Sequence, residues 1–306
     1  MKNKILIIII LILSFVAVKS SQKEILTTFS NEPELKKEEK VITVSLLDTK
    51  TNEKKILNLE DYIVGVVSAE MPASFSDDAL KAQAIAARTY AMYKVNTSTT
   101  DYDLVTDVSN QAFITEDKMR IKWGSEFDTY YKKIKDAVNE TKSLIMKYDN
   151  TPICAFYFAM SNGYTEDAAL VFGSDLNYLH SVDSTLEKSI NNFEVNKEFT
   201  KVNFCKLLDI TCENILITNV TRSKTDRVNN ITVNNKTFTG TTFRKLLGLR
   251  STDFRIDIDN VITITTKGYG HGVGMSQYGA NEMSKNGKTY QDILNHYYKD
   301  IEISKI

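Results

Sequence analysis

The sequence predicts a mixed α+β fold in which helices pack around strands and an inserted polar lobe forms a cleft. Three observations carry this. Two helix-like stretches, Leu59–Glu70 and 79–93, follow one another early in the chain. Two runs of strand-forming residues, Leu144–Tyr148 and 153–158, flank Asp149-Asn-Thr-Pro152, which has turn chemistry. Between 185 and 235 the composition becomes Asn-rich and polar, as in a second lobe or lid. A chain of 306 residues buries a core readily. With a net charge of −1 and 25% charged residues it offers no basic face, so nucleic acid is excluded as a partner.

The start is a topological signal. Lys2 and Lys4 precede an apolar run over 5–18, broken only by Ser14 and closed by Lys19. That run is shorter than the ~20 residues that span a bilayer, yet flanking lysines can snorkel. Residues 1–20 are therefore expected to be an uncleaved transmembrane anchor, with a cleaved signal as the alternative, and either exports the chain. Residues 21–40 are highly charged and read as a polar tether. The globular domain is expected over 41–306, with the inserted lobe at about 185–235.

Val41-Ile-Thr-Val-Ser-Leu-Leu47 reads as the first strand. Asn58 can cap the helix Leu59–Glu70, which Pro72 must end. Glu70 then sits in the last turn among Val66, Val67 and Met71. The negative end of the helix dipole and desolvation both raise the pKa of a carboxyl there, as a general acid requires. A surface Glu at a helix end is the plainer alternative. After Ser76 comes an Ala-rich helix over 79–93 whose small side chains allow close packing. Its conspicuous polar groups are Arg88 and Tyr90. A buried Arg needs a partner; it either orients an acid such as Glu70 or belongs to a structural ion pair. Phe127, Tyr131, Ile134 and Val138 form one face of a helix over 123–141.

Two polar loops follow buried elements: Asp107-Val-Ser-Asn-Gln-Ala-Phe113 and Ala159-Met-Ser-Asn-Gly-Tyr-Thr-Glu166. Loops on rigid scaffolds often hold binding groups. Further on, a small helix over 202–208, a hairpin over 228–239, a helix from Thr242 to Gly248 and strands over 254–258 and 261–266 are expected. Five of the twelve glycines then fall between Gly268 and Gly279, around His271 and before Ser276, Gln277 and Tyr278. There is no Gly-Lys-Ser/Thr for phosphate and no ligand set beside His271 for a metal. Thr289 and Asp292 have capping-box spacing before a last helix that carries His296. Cys154, Cys205 and Cys212 make no disulfide framework. A Cys205–Cys212 bridge or separate buried thiols are both open, and His180 with Cys205 and Cys212 matches no finger-like zinc spacing. Neither a metal nor another cofactor is expected.

Ser68-Ala-Glu-Met-Pro-Ala-Ser-Phe75 with 79–91, Ser161-Asn-Gly-Tyr-Thr-Glu166, and Gly270-His-Gly-Val-Gly-Met-Ser-Gln-Tyr-Gly-Ala280 resemble, in this order, the motifs of the stage II sporulation protein D family. The resemblance implies a membrane-anchored lytic transglycosylase that cleaves peptidoglycan glycan strands during engulfment of the forespore. Its substrate would be stripped of peptides by an amidase, stage II sporulation protein P, and stage II sporulation protein M would complete the complex. It places the domain outside the cytoplasm, between mother-cell and forespore membranes. It makes Glu70 the catalytic acid and Arg88 a functionally important residue. Tyr90, Gln111, Ser161, Tyr164, Thr165, Glu166, His271, Ser276 and Gln277 are the candidates for gripping sugar, with Glu166 the rival acid. The domain also occurs in amidase enhancers, so a non-catalytic peptidoglycan-binding module is the alternative.

Overall fold

A computed structural model describes residues 41–107 and 109–306. The expected anchor and tether lie outside the described residues. Among those described, no helix is long and apolar enough to cross a membrane. Helices and short strands interleave throughout, so the mixed α+β class holds.

The first strand, β1 (Thr43–Leu47), pairs antiparallel with β2 (Lys54–Asn58). Asn58 caps α1 (Leu59–Glu70) through its side chain, which accepts from the Glu60 N–H. α2 (Asp77–Thr97) is longer at both ends than 79–93, since no breaker interrupts the sequence. β3 (Leu104–Val105) returns parallel to β1. The expected helix over 123–141 is α4 (Phe127–Glu140), and a further helix, α3 (Glu116–Trp123), precedes it; Gly124, at φ 52°, separates the two. Phe127, Ile134 and Val138 of the expected stripe are buried. β4 (Leu144–Tyr148) turns into β5 (Thr151–Pro152), while only β6 (Tyr157–Phe158) of the run 153–158 pairs as a strand. A short helix, α5 (Ala168–Phe172), follows the second polar loop.

The next segment contains β7 (Glu194–Phe199), α6 (Lys201–Leu208), β8 (Ile217–Arg222), β9 (Val228–Val233), β10 (Lys236–Thr239), α7 (Gly240–Leu247), β11 (Phe254–Ile258) and β12 (Ile262–Lys267). α7 starts two residues before Thr242 because Thr239 is its cap, and Gly248 ends it in the left-handed region. The chain finishes with β13 (Met275–Ser276), α8 (Gln277–Lys285), α9 (Tyr290–Tyr297) and β14 (Glu302–Lys305). Thr289 and Asp292 form the expected capping box on α9.

Two apolar clusters organise these elements. The first is built around α2, whose Ala82, Ala84, Ala86, Ala87 and Ala91 are fully buried. Small residues let α1, α4, β4, α8 and α9 all approach this one helix. The second cluster runs from Phe199 to Ile264 and so reaches well past residue 235. Its apolar residues alternate at the start of β12 and fall at Val228, Ile231 and Val233 in β9, where flanking Asn and Thr give the segment its polar composition.

Cys205 and Cys212 form a disulfide at the end of α6. His180 stands instead 3.6 Å from Asp167, so those three residues are not gathered. Cross-linking restricts the unfolded chain, and Cys212→Ser is expected to cost about 2 kcal/mol. A lowered urea midpoint relative to the parent protein would register it.

Candidate functional site

The end of α1 meets the first polar loop and the glycine loop, and this junction is where Glu70 lies. Gly65 makes the meeting possible: a Cβ there would come within 2.3 Å of the Phe113 ring. Phe113 therefore lies flat on α1, stacked on Tyr62 at 5.6 Å, and Ile114 N–H bonds to the Gly65 carbonyl. This pins the preceding residue so that Ala112 N–H donates to Glu70 Oε1 at 2.7 Å. The opposite wall comes from the glycine loop. Gly274, at φ 77°, lies so close to β6 that a Cβ would overlap the Phe156 carbonyl, and β13 pairs with β6 beside it. Gly274 is needed for both reasons.

Between these walls is a cavity of about 170 Å³ lined by Glu70, Tyr90, Asn110, Gln111, Tyr157 and His271, with Ala155 and Phe156 behind. Glu70 is the one acidic residue in that lining. The volume is below the ~300–1,000 Å³ that encloses a drug-sized ligand. It suits a reacting linkage whose flanking groups lie outside.

The electrostatics follow from burial. Desolvation raises the Glu70 pKa, and this outweighs the Ala112 N–H, the Gln277 side chain and Lys122, which favour the carboxylate. The Tyr90 phenol is pushed up to about 12 by desolvation, and that of Tyr157 well above the ordinary range. Both are hydroxyl donors at neutral pH. Desolvation and the charges of Arg244 and Arg227 hold His271 down at about 4, so its ring is neutral. His271 Nδ1 accepts from Val273 N–H at 3.1 Å. The ring lies among Phe156, Phe158 and Phe172, with centroids at 5.9, 5.6 and 5.3 Å.

A partly buried acid with a raised pKa carries a stability consequence. The protonated form's contribution is fully present below the unfolded value of ~4.3 and is lost as pH rises through the folded value. Glu70→Gln removes that loss. Its melting temperature is expected to exceed the parent's at pH 7, and the gap to close as pH falls toward 4, in thermal melts across that range.

Of the residues singled out from the sequence, Glu70, Tyr90, Gln111 and His271 share the cavity, and Gln277 reaches Glu70. Gln111 braces as well as lines: it accepts from Tyr62 Oη at 3.1 Å and donates to Tyr157 Oη at 3.0 Å. Arg88 does not reach Glu70. Its guanidinium is fully buried and bonds Glu60 at 2.6 Å, with further donations to the Leu144 and Val138 carbonyls. The structural ion pair is thus the correct alternative, and Arg88 is not a sugar contact.

Ser161 and Ser276 are drawn to another acid, Glu187, which the sequence reading missed. Glu187 accepts from Ser161 N–H at 2.9 Å, Ser276 Oγ at 2.7 Å and Ser184 Oγ at 2.6 Å. It is buried, and desolvation raises its pKa against those bonds. The Ser276 hydroxyl also caps α8, which begins with Gln277. Glu187 therefore ties the two motif loops together behind the cavity. Thr165 braces its own loop, accepting from Val182 N–H. Tyr164 is exposed under Lys188. Glu166 faces the second cluster, accepting from Ser223 and Thr225 hydroxyls and from Asp167 N–H. It does not line the Glu70 cavity. His296 bonds the Asp183 carbonyl, a structural role. Tyr157 and Asn110 are cavity residues that no motif announced; Tyr157 lies in a run that reads as plain apolar strand.

Fold and site together define an α+β protein whose cavity holds a single partly buried carboxyl set among neutral hydrogen-bonding groups, equipment for general-acid chemistry. Comparison with known sequences gives the lineage. The sequence model described as "Stage II sporulation protein" matches residues 48–148. Stage II sporulation protein D of Bacillus subtilis (strain 168) is 39% identical over 291 residues, covering 91% of this chain and 85% of that one. Its counterpart in Bacillus amyloliquefaciens is 38% identical, covering 90% and 81%. A protein of Bacillus subtilis (strain 168) named amidase enhancer is 28% identical over 76% of this chain and 39% of its own. The chain belongs to the stage II sporulation protein D family.

Proposed function

We propose that the protein is a lytic transglycosylase that cleaves peptide-stripped peptidoglycan glycan strands at the muramic acid linkage during engulfment. The observation that carries this reading is a cavity with a single carboxyl, whose pKa is raised by desolvation. Hydrolysing glycosidases use two carboxylates, one as acid and one as nucleophile or base. A transglycosylase manages with one because the substrate supplies the nucleophile. Glu70 gives its proton to the glycosidic oxygen as the C1–O bond of N-acetylmuramic acid breaks. The C6 hydroxyl of the same sugar attacks C1, and the Glu70 carboxylate takes the hydroxyl proton. The product is a 1,6-anhydro sugar, water is not consumed, and the acid is regenerated. Tyr90, Tyr157 and Gln277 supply hydrogen bonds around the reacting centre, and neutral His271 adds no positive charge against the forming oxocarbenium ion. In this reading residues 1–20 anchor the domain on the extracytoplasmic side. Stage II sporulation protein P supplies stripped strands, and stage II sporulation protein M completes the complex.

The relative named amidase enhancer supports a second reading, a module that binds peptidoglycan without turnover. Mass spectrometry of peptide-free strands incubated with the protein separates the two. Ends carrying 1,6-anhydro-muramic acid are expected. Reducing ends would mean hydrolysis and a second carboxylate, and binding without any product would favour the module.

A further inference from the structure

A second cavity lies on the other side of residues 271 and 272. It has a volume of about 350 Å³, and its lining includes Glu166, Leu170, Arg227, Asn230, Thr241 and Thr252. The two cavities share a wall. His271 lines the first, while the adjoining Gly272 accepts from Glu166 N–H at 2.7 Å and lies against the Arg227 guanidinium, 2.7 Å from where its Cβ would be. α5 completes that wall: Phe172 stacks on Phe156 at 4.5 Å beside the first cavity, and Leu170 lines the second. Both are exposed, Leu170 by 55% and Phe172 by 43%.

The second cavity is built for a ligand that is polar at its edges and apolar on one face. Arg227 is 4% exposed, donates to Thr225 Oγ1 and the Tyr164 carbonyl, and has an Nε with no hydrogen-bond partner. Those two bonds fix the guanidinium in the cavity wall, with its Nε packed against Gly272. Asn230 and Thr241 add side-chain donors and acceptors that are exposed and free to turn toward a guest. Leu170 offers the apolar surface on which a pyranose face or an acetyl methyl rests.

We infer that this cavity is a distal subsite for an N-acetylated amino sugar of the strand whose cleaved linkage lies at Glu70. The inference rests on the glycan reading above. It goes beyond that reading in making α5 a ridge over which one strand passes from cavity to cavity, with Arg227, Asn230 and Thr241 holding a sugar that does not react. The chain thereby discriminates by length: a long strand fills both cavities and a disaccharide only the first.

The test is a binding measurement in which every protein carries Glu70→Gln, so that strands bind without turnover and the Glu70→Gln protein serves as the parent. Peptide-free glycan strands and the corresponding disaccharide are titrated by calorimetry into that parent and into the same protein with Asn230→Ala/Thr241→Ala added or, as a second blockade, Thr241→Arg added. Both positions of substitution are at the surface, and thermal melts check the fold. The parent is expected to prefer the long strand, and the double substitution to reduce that preference roughly tenfold, the loss of about two modest hydrogen bonds. A parent that prefers the strand with both variants matching it would overturn the subsite and leave the glycan reading intact. A parent that binds neither glycan would overturn both.

Discussion

Glu70→Gln is expected to lower strand cleavage by roughly 10²–10⁴-fold, the range that a positioned general acid contributes, while the strand still binds. The amide keeps an oxygen for Ala112 N–H, so the loop over the cavity stays in place; only the transferable proton is lost. The pH dependence follows from the same burial. The acid must be protonated to act, and its pKa is raised, so the parent's cleavage rate falls as pH rises through the folded value. His271 adds no limb of its own between pH 5 and 8, because its ring stays neutral down to about 4. Single-turnover rates across that interval read both points. A rate that climbs with pH, or a glutamine variant cleaving at the parent rate, would remove Glu70 from its role.

The largest effect on stability is expected from Glu60→Ala. Arg88 is fully buried and Glu60 partly so, with side-chain exposures of 0% and 18%. Glu60 also accepts from Ser143 N–H at 3.1 Å, so the pair fastens the start of α1 and the middle of α2 to the turn entering β4. Truncating the acid strands a guanidinium in the core, which costs about 3–5 kcal/mol, or on the order of 10 °C in melting temperature for a domain of this size. Glu60→Met/Arg88→Met should lose much less, since no lone charge remains. This pair of variants separates two explanations of inactive Arg88 substitutions. Loss of activity that tracks the melting temperature reports folding. A stable double variant that no longer cleaves would return Arg88 to the chemistry.

That misassignment shows where the sequence stops being legible. Glu70 could be read because its determinants are local: Asn58 starts the helix, Pro72 stops it, and apolar neighbours surround the last turn. The partner of Arg88 could not, since Glu60 and Glu70 are carboxylates on one helix, about 15 Å apart along its axis. Which end faces α2 at Arg88 is settled by packing alone. Glu187 was hidden for a related reason. It stands in a short polar turn beside Lys188, where a solvated charge is the ordinary expectation, and its three donors come from residues 161, 184 and 276. The break at Gly124 was local and could have been read. The strand run 153–158 failed differently, because Ala155 and Phe156 go into the cavity wall and only Tyr157 and Phe158 are left to pair.

The segment from β7 to β12 enters and leaves the fold at a single point. Glu194 and Lys267, its first and last residues, are cross-strand partners, and Gly268 N–H bonds the Phe193 carbonyl at 2.9 Å. A stretch whose ends already touch adds little closure entropy to its host however long it becomes. It also carries an apolar cluster of its own, and the family match at 48–148 lies wholly outside it. The segment's length is thereby uncoupled from the closure of its host: residues added to or removed from its outer turns leave the point of entry, and the helix that bears the acid, where they are.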